Sequence, residues 1–135
     1  KKEQQWENWT KNVIPSLIPI YLDLICRSKS LRTLDNVRVL TSLPCECRKK
    51  TLRVALVSFD KLESAEIASC SCTSAAAHLM QRGFFPSAPT APTLAVDLKL
   101  LEFIRVLFVR MPPNVTSFAD AVESFLQGRQ YKLRT

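Results

Sequence analysis

Two thiol pairs, Cys45-x-Cys47 and Cys70-x-Cys72, constrain this chain more than any other feature. Residues 48–69 separate them. A structural zinc ion takes four ligands in a tetrahedron, often all thiolates. Each pair must then bring two sulfurs to one metal. A regular strand does this poorly, because residues two apart stand side by side along one face. A turn or a broken strand end does it well. The local sequence offers both. "NVRVLTSL" and "TLRVALVSF" read as strands around "CECRKK", which places Cys45 and Cys47 at a hairpin turn. "AEIASC" reads as a third short strand leading into "TSAAAHLMQRG", a helix with Thr73 or Ser74 at its start and Gly83 at its end. Cys70 and Cys72 therefore fall where a strand gives way to a helix. Free N–H groups and a positive dipole at that point favour thiolate. We expect one Zn²⁺ held by Cys45, Cys47, Cys70 and Cys72. Four ordinary reduced cysteines, or a redox pair favoured by the cations after Cys47, are the competing readings.

The fifth cysteine, Cys26, lies in the apolar run "YLDLIC" and is expected in the core. His78 follows Cys72 by six residues along the helix, which turns it away from the metal.

The rest of the chain reads as helix. "VIPSLIPIYLDLICRS" has helical apolar spacing, with Pro15 suited to a first turn and Pro19 expected to kink or restart it. Trp6 and Trp9 are expected to pack on this element. "FFPSAPTAP" is an extended, stiff connector, with Phe84 and Phe85 expected in the core. Thr93 is placed as the cap of a largely buried helix, "LAVDLKLLEFIRVLFVRM". A last helix starts at Thr116 or Ser117 and ends at Gly128. We expect an α+β fold, a small zinc-stapled β-hairpin plus helix, treble-clef-like or SWIM-like, flanked by N-terminal and C-terminal helices. Its segments are an N-terminal helical part (1–34), a zinc-binding ββα unit (35–83), a Pro-rich connector (84–93) and a C-terminal helical pair (94–135).

Charge bears on partners. The 135-residue chain carries a formal net charge of +7. Residues 27–53 hold eight Lys/Arg against Asp35 and Glu46. A basic stretch favours polyanions. Arg48, Lys49, Lys50 and Arg53 are the candidate nucleic-acid contacts. Four thiolates on one Zn²⁺ would lower the net charge to about +5, so the electrostatic case for DNA is modest. No apolar run reaches membrane-spanning length, and the N-terminus lacks an apolar signal core. An intracellular location and no membrane or small-molecule partner are expected. The sequence carries no phosphate loop or dinucleotide fingerprint, and its single His has no triad signature around it. It is not expected to be an enzyme by itself.

"WENWTKNVIPSLIPIYLDL", "CEC", "CSC", "AAAHLMQRGFFPSAPTAPTLAVDLKLLEF" and "PNVTSFADAVESFL" together resemble the cysteine-cluster region of fungal KDZ (Kyakuja–Dileera–Zisupton) transposases. The resemblance covers nearly the whole chain. It implies a zinc-binding module that accompanies a transposase catalytic domain of RNase H type lying outside this chain, and hence a nuclear location. It implies no catalytic residue here. The pairs also resemble a SWIM-type zinc finger, C-x-C then C-x-H, with Cys72 standing where that finger has His. Two functions follow as expectations: a contribution to DNA binding, or docking on a transposase catalytic domain or partner subunit with zinc only stabilising the fold.

Overall fold

The computed structural model describes residues 2–32, 48, 50–112 and 114–131. The expected strand "NVRVLTSL", the hairpin turn, Cys45, Cys47 and Lys49 lie outside the described residues.

The chain opens with α1 (Lys2–Asn8), a π-helical turn (Trp9–Val13) and α2 (Ile14–Arg27). Proline explains the wide turn. Pro15 has no N–H for the carbonyl four residues back, and its ring crowds that carbonyl. The backbone relaxes into a longer-range bond, Ile14 N–H to Trp9 O. The kink expected at Pro19 is absent: α2 runs unbroken through it. The irregularity sits one turn earlier, ahead of Pro15, and Pro19 faces solvent.

After α2 the chain reverses through three consecutive left-handed residues, Lys29, Ser30 and Leu31, at φ 51°, 58° and 71°. None is glycine, so each costs on the order of 1 kcal/mol. The turn is held by Ser30 N–H to Ile25 O and by Leu31 N–H to Ser28 Oγ. It also buries Leu31 against Leu17 and Leu24.

The sheet begins with β1 (Lys50–Val57), turns at Ser58–Lys61 and returns as β2 (Leu62–Ser69), antiparallel, with Lys50 opposite Ser69 and Val57 opposite Leu62. Helix α3 (Ala75–Gln81) follows. Ser74 caps it by accepting from Ala77 N–H at 3.1 Å. Gly83, at φ 84°, ends it in the left-handed conformation that only glycine adopts without strain.

The Pro-rich segment does more than connect. Phe84–Pro86 is strand β3, and Leu94–Asp97 is β4, antiparallel to β3 and parallel to β1. The strand order is β2-β1-β4-β3. The expected helix from Thr93 is therefore corrected. Thr93 O accepts from Ala55 N–H at 3.0 Å, which commits it to the sheet. Asp97 is the true cap of α4 (Leu98–Arg110), accepting from Lys99 N–H at 2.8 Å. Helix α5 (Val115–Gly128) starts one or two residues before the expected position, capped by Asn114 rather than Thr116 or Ser117.

Alternation along β1 divides the packing. Val54 and Leu56 join Ile67, Ala75, Leu79, Phe84 and Ala95 beneath α3. Val57 turns the other way, to Leu100 and Leu126 under α4 and α5. A third cluster, Leu17, Leu24, Leu31, Ala76, Met80 and Leu98, fixes α2 to α3 and to the start of α4. Phe84 is core as expected, whereas Phe85 is half-buried.

Three burial expectations fail, the first being Trp6, which is 68% exposed rather than packed on α2. Cys26 is exposed, not core. It lies two residues, about 200° of helix, from the buried Leu24, so an apolar run cannot carry it inward. Helix α4 is less buried than its composition suggests: only Leu98 and Leu100 reach the core, and Phe103 is 48% exposed.

Candidate metal centre

Residues 70–73 form the bend between β2 and α3. Cys70 N–H donates to Thr73 O at 3.0 Å and closes it. Ser74 then starts the helix. The bend breaks strand geometry at the point where the two cysteines fall. Their Sγ atoms lie 3.3 Å apart. Cys70 is half-buried and Cys72 exposed. Two thiolates bound to one Zn²⁺ at about 2.3 Å with tetrahedral angles stand about 3.8 Å apart. The observed separation is about half an ångström shorter. A rotation of one side chain closes that difference, so the pair fits a single borderline-soft cation as half of its ligand set.

Among the described residues, no group of three or more His, Cys, Asp or Glu side chains gathers around a point. Cys45 and Cys47 are outside those residues. His78 sits on α3, half-buried, in its last turn.

The candidate nucleic-acid residues run along β1. Arg48, Lys50 and Arg53 are all exposed. Lys50 opens the strand opposite Ser69, the residue before Cys70. Arg53 stands opposite Glu66, which offsets part of its charge. Lys50 is thus at the same end of the hairpin as the thiol pair, whereas Arg53 lies three residues further along β1 and, by strand alternation, on the other face of the sheet; Lys49 is not among the described residues.

Sequence reasoning missed an exposed apolar surface on α2. Ile14, Ile18 and Leu22 belong to the helical apolar spacing of α2, yet they are 39%, 49% and 58% exposed. They adjoin the buried Leu17 and Leu24 at the edge of the helix, beside α4. Only the placement of α4 could have revealed this.

An α+β scaffold carrying paired cysteines at a strand–helix junction defines a cysteine-cluster module. The chain belongs to the CxC1-like cysteine-cluster family associated with KDZ transposases, whose family model matches residues 30–131. No curated protein and no solved structure matches it.

Proposed function

We propose that the chain is the zinc-binding module of a transposase-related protein and that it contributes to DNA binding. The observation that supports the metal is the 3.3 Å approach of the Cys70 and Cys72 sulfurs in the β2–α3 bend. Register supports the remaining ligands. Lys50 lies across from Ser69. Cys47 precedes Lys50 by three residues, a chain length of at most about 11 Å. Both pairs are therefore within covalent reach of one ion, in the order C-x-C, β1, β2, C-x-C, α3. That order supports a treble-clef-like or SWIM-like arrangement in which Cys72 replaces the His of the SWIM pattern. With four thiolates the site is closed and stabilises the fold rather than activating water.

DNA binding rests on the exposed Arg48, Lys50 and Arg53, of which Lys50 pairs beside the thiol bend, with Lys49 among them in sequence. Their chemistry is phosphate contact, which gives salt-dependent and weakly sequence-selective affinity. A nuclear location goes with this reading. No helix among the described residues is long and apolar enough to cross a membrane. The module carries no catalytic role of its own in this account.

Fluorescence anisotropy with labelled duplex DNA at low salt tests the reading. Binding that weakens steeply with salt, and by about tenfold in Arg48→Glu/Lys50→Glu, is expected. Absence of binding at low salt by zinc-loaded protein would refute the DNA part. The second reading, docking on a transposase catalytic domain or partner subunit, is favoured by the uncovered apolar edge of α2.

A further inference from the structure

Helices α2 and α4 do not close on each other. Between them lies an open groove of about 320 Å³, walled by Ile14 and Ile18 on one side and Leu98 and Leu101 on the other, over a floor of Met80 and Phe85.

Three features define what fits. The first is length. The lining runs from Ile14 to Tyr21 and from Leu98 to Arg105, about 10 Å or two helical turns on each wall. Two helices with a cleft of that length present the seat for a third helix, which fills it with side chains at i, i+4 and i+7. The second is continuity. The apolar lining, which includes the exposed Ile14 and Ile18, passes on to the exposed Leu22 one turn further along α2, which a small ligand in the groove would leave uncovered.

The third is charge at the lip. Glu102 holds Arg105 through its Nε at 3.1 Å and its Nη2 at 2.6 Å. The carboxyl is lowered from its ordinary pKa by that hydrogen bond. A guanidinium has five N–H groups. Two are used here, and three remain uncommitted among the described residues. The exposed guanidinium is thereby fixed at the edge of the groove. Helix α4 also carries Lys99 and Arg110, so its charges sum positive, in a chain of net +7. Glu102 neutralises Arg105 locally, so the preference for an acidic group comes from the net positive charge of α4 and from the N–H groups the guanidinium still has to offer.

We propose that the groove docks an amphipathic helix of a partner protein, its apolar face seated on Ile14, Ile18 and Leu101 and a carboxylate beside Arg105. This inference rests on neither the metal nor DNA.

Trp9 supplies the readout, because it stacks on Phe85 at the groove floor. In a Trp6→Phe background, zinc-loaded protein is titrated with three synthetic peptides: an amphipathic helix with Leu at i, i+4 and i+7 and Glu flanks, the same peptide with Lys flanks, and a scramble. The acidic peptide is expected to give a saturable Trp9 change at micromolar concentration. The Lys version should bind about tenfold more weakly. Ile18→Glu, at an exposed site, should weaken the acidic peptide about tenfold with an unchanged circular dichroism spectrum. Arg105→Glu should reverse the preference between the two charged peptides. Equal responses to all three peptides, or none to any, would overturn the proposal. So would self-association by sedimentation velocity that Ile18→Glu abolishes, since a second copy would then occupy the groove.

Discussion

The indole of Trp9 lies on the ring of Phe85, with centroids 5.7 Å apart and planes 10° from parallel. This stack joins the wide turn ahead of Pro15 to strand β3, elements far apart in sequence. Offset stacking adds about 0.5–1.5 kcal/mol beyond the area it buries. Trp9→Ala is expected to destabilise the chain by about 2 kcal/mol in urea denaturation, and Trp6→Ala, at a site 68% exposed, by less than about 0.5 kcal/mol. Equal effects would mean that the stack does not hold the N-terminal helix.

Asp97 is 4% exposed and serves two elements. Its Oδ1 accepts from Lys99 N–H to start α4, and its Oδ2 lies 3.4 Å from Ser58 Oγ in the β1–β2 turn. Asp97→Ala should cost about 2 kcal/mol, because a cap is lost and buried partners are left unsatisfied. Thr93→Ala, at the position the sequence suggests for this cap, should cost less than about 0.5 kcal/mol. Thermal denaturation of the two variants distinguishes the caps.

Pro19 sits in the exposed middle of α2 without breaking it. It still denies Pro15 O a helical hydrogen bond. Pro19→Ala restores that donor and is expected to stabilise the chain by about 1–3 kcal/mol, seen as a raised Tm. A lowered Tm would show that the helix geometry imposed by proline is needed for packing Leu17 and Leu24.

The Glu102–Arg105 pair gives a small pH dependence. The folded carboxyl titrates below its ordinary value, chiefly through the Arg105 hydrogen bond. A lowered folded pKa means stability that is present above the unfolded carboxyl pKa and lost as pH falls through the folded one. The pair is largely exposed, so its contribution is small and is screened by salt. Glu102→Gln should remove this acidic component, measured as the difference in denaturation midpoint between neutral and acid pH at low salt.

Local chemistry was legible and non-local pairing was not. Ser74, Gly83 and the strand "TLRVALV" could be read because caps, left-handed stops and β-branched runs act within a few residues. "LAVD" was taken for the first turn of a helix because nothing local says that it pairs with β1 and β3. The prolines near it looked like a plain connector, yet Pro86 and Pro92 are fully buried where β3 turns into β4. Cys26 was misplaced for a related reason: an apolar run gives a helix, but only its neighbours decide which edge is covered. The bend that brings Cys70 and Cys72 together was legible, since a strand meeting a capped helix must turn there.

Zinc content per chain, measured on protein purified without added metal, tests the central claim most directly. The account predicts one equivalent in the parent chain, its loss in Cys70→Ser and Cys72→Ser, and its retention in Cys26→Ser, whose stability should stay within about 0.5 kcal/mol of the parent. Chelation should then collapse the circular dichroism signal of the β1–β2–α3 unit. Metal-free protein whose fold is unchanged by chelator would contradict the zinc site and leave Cys70 and Cys72 as a turn pair without a metal role.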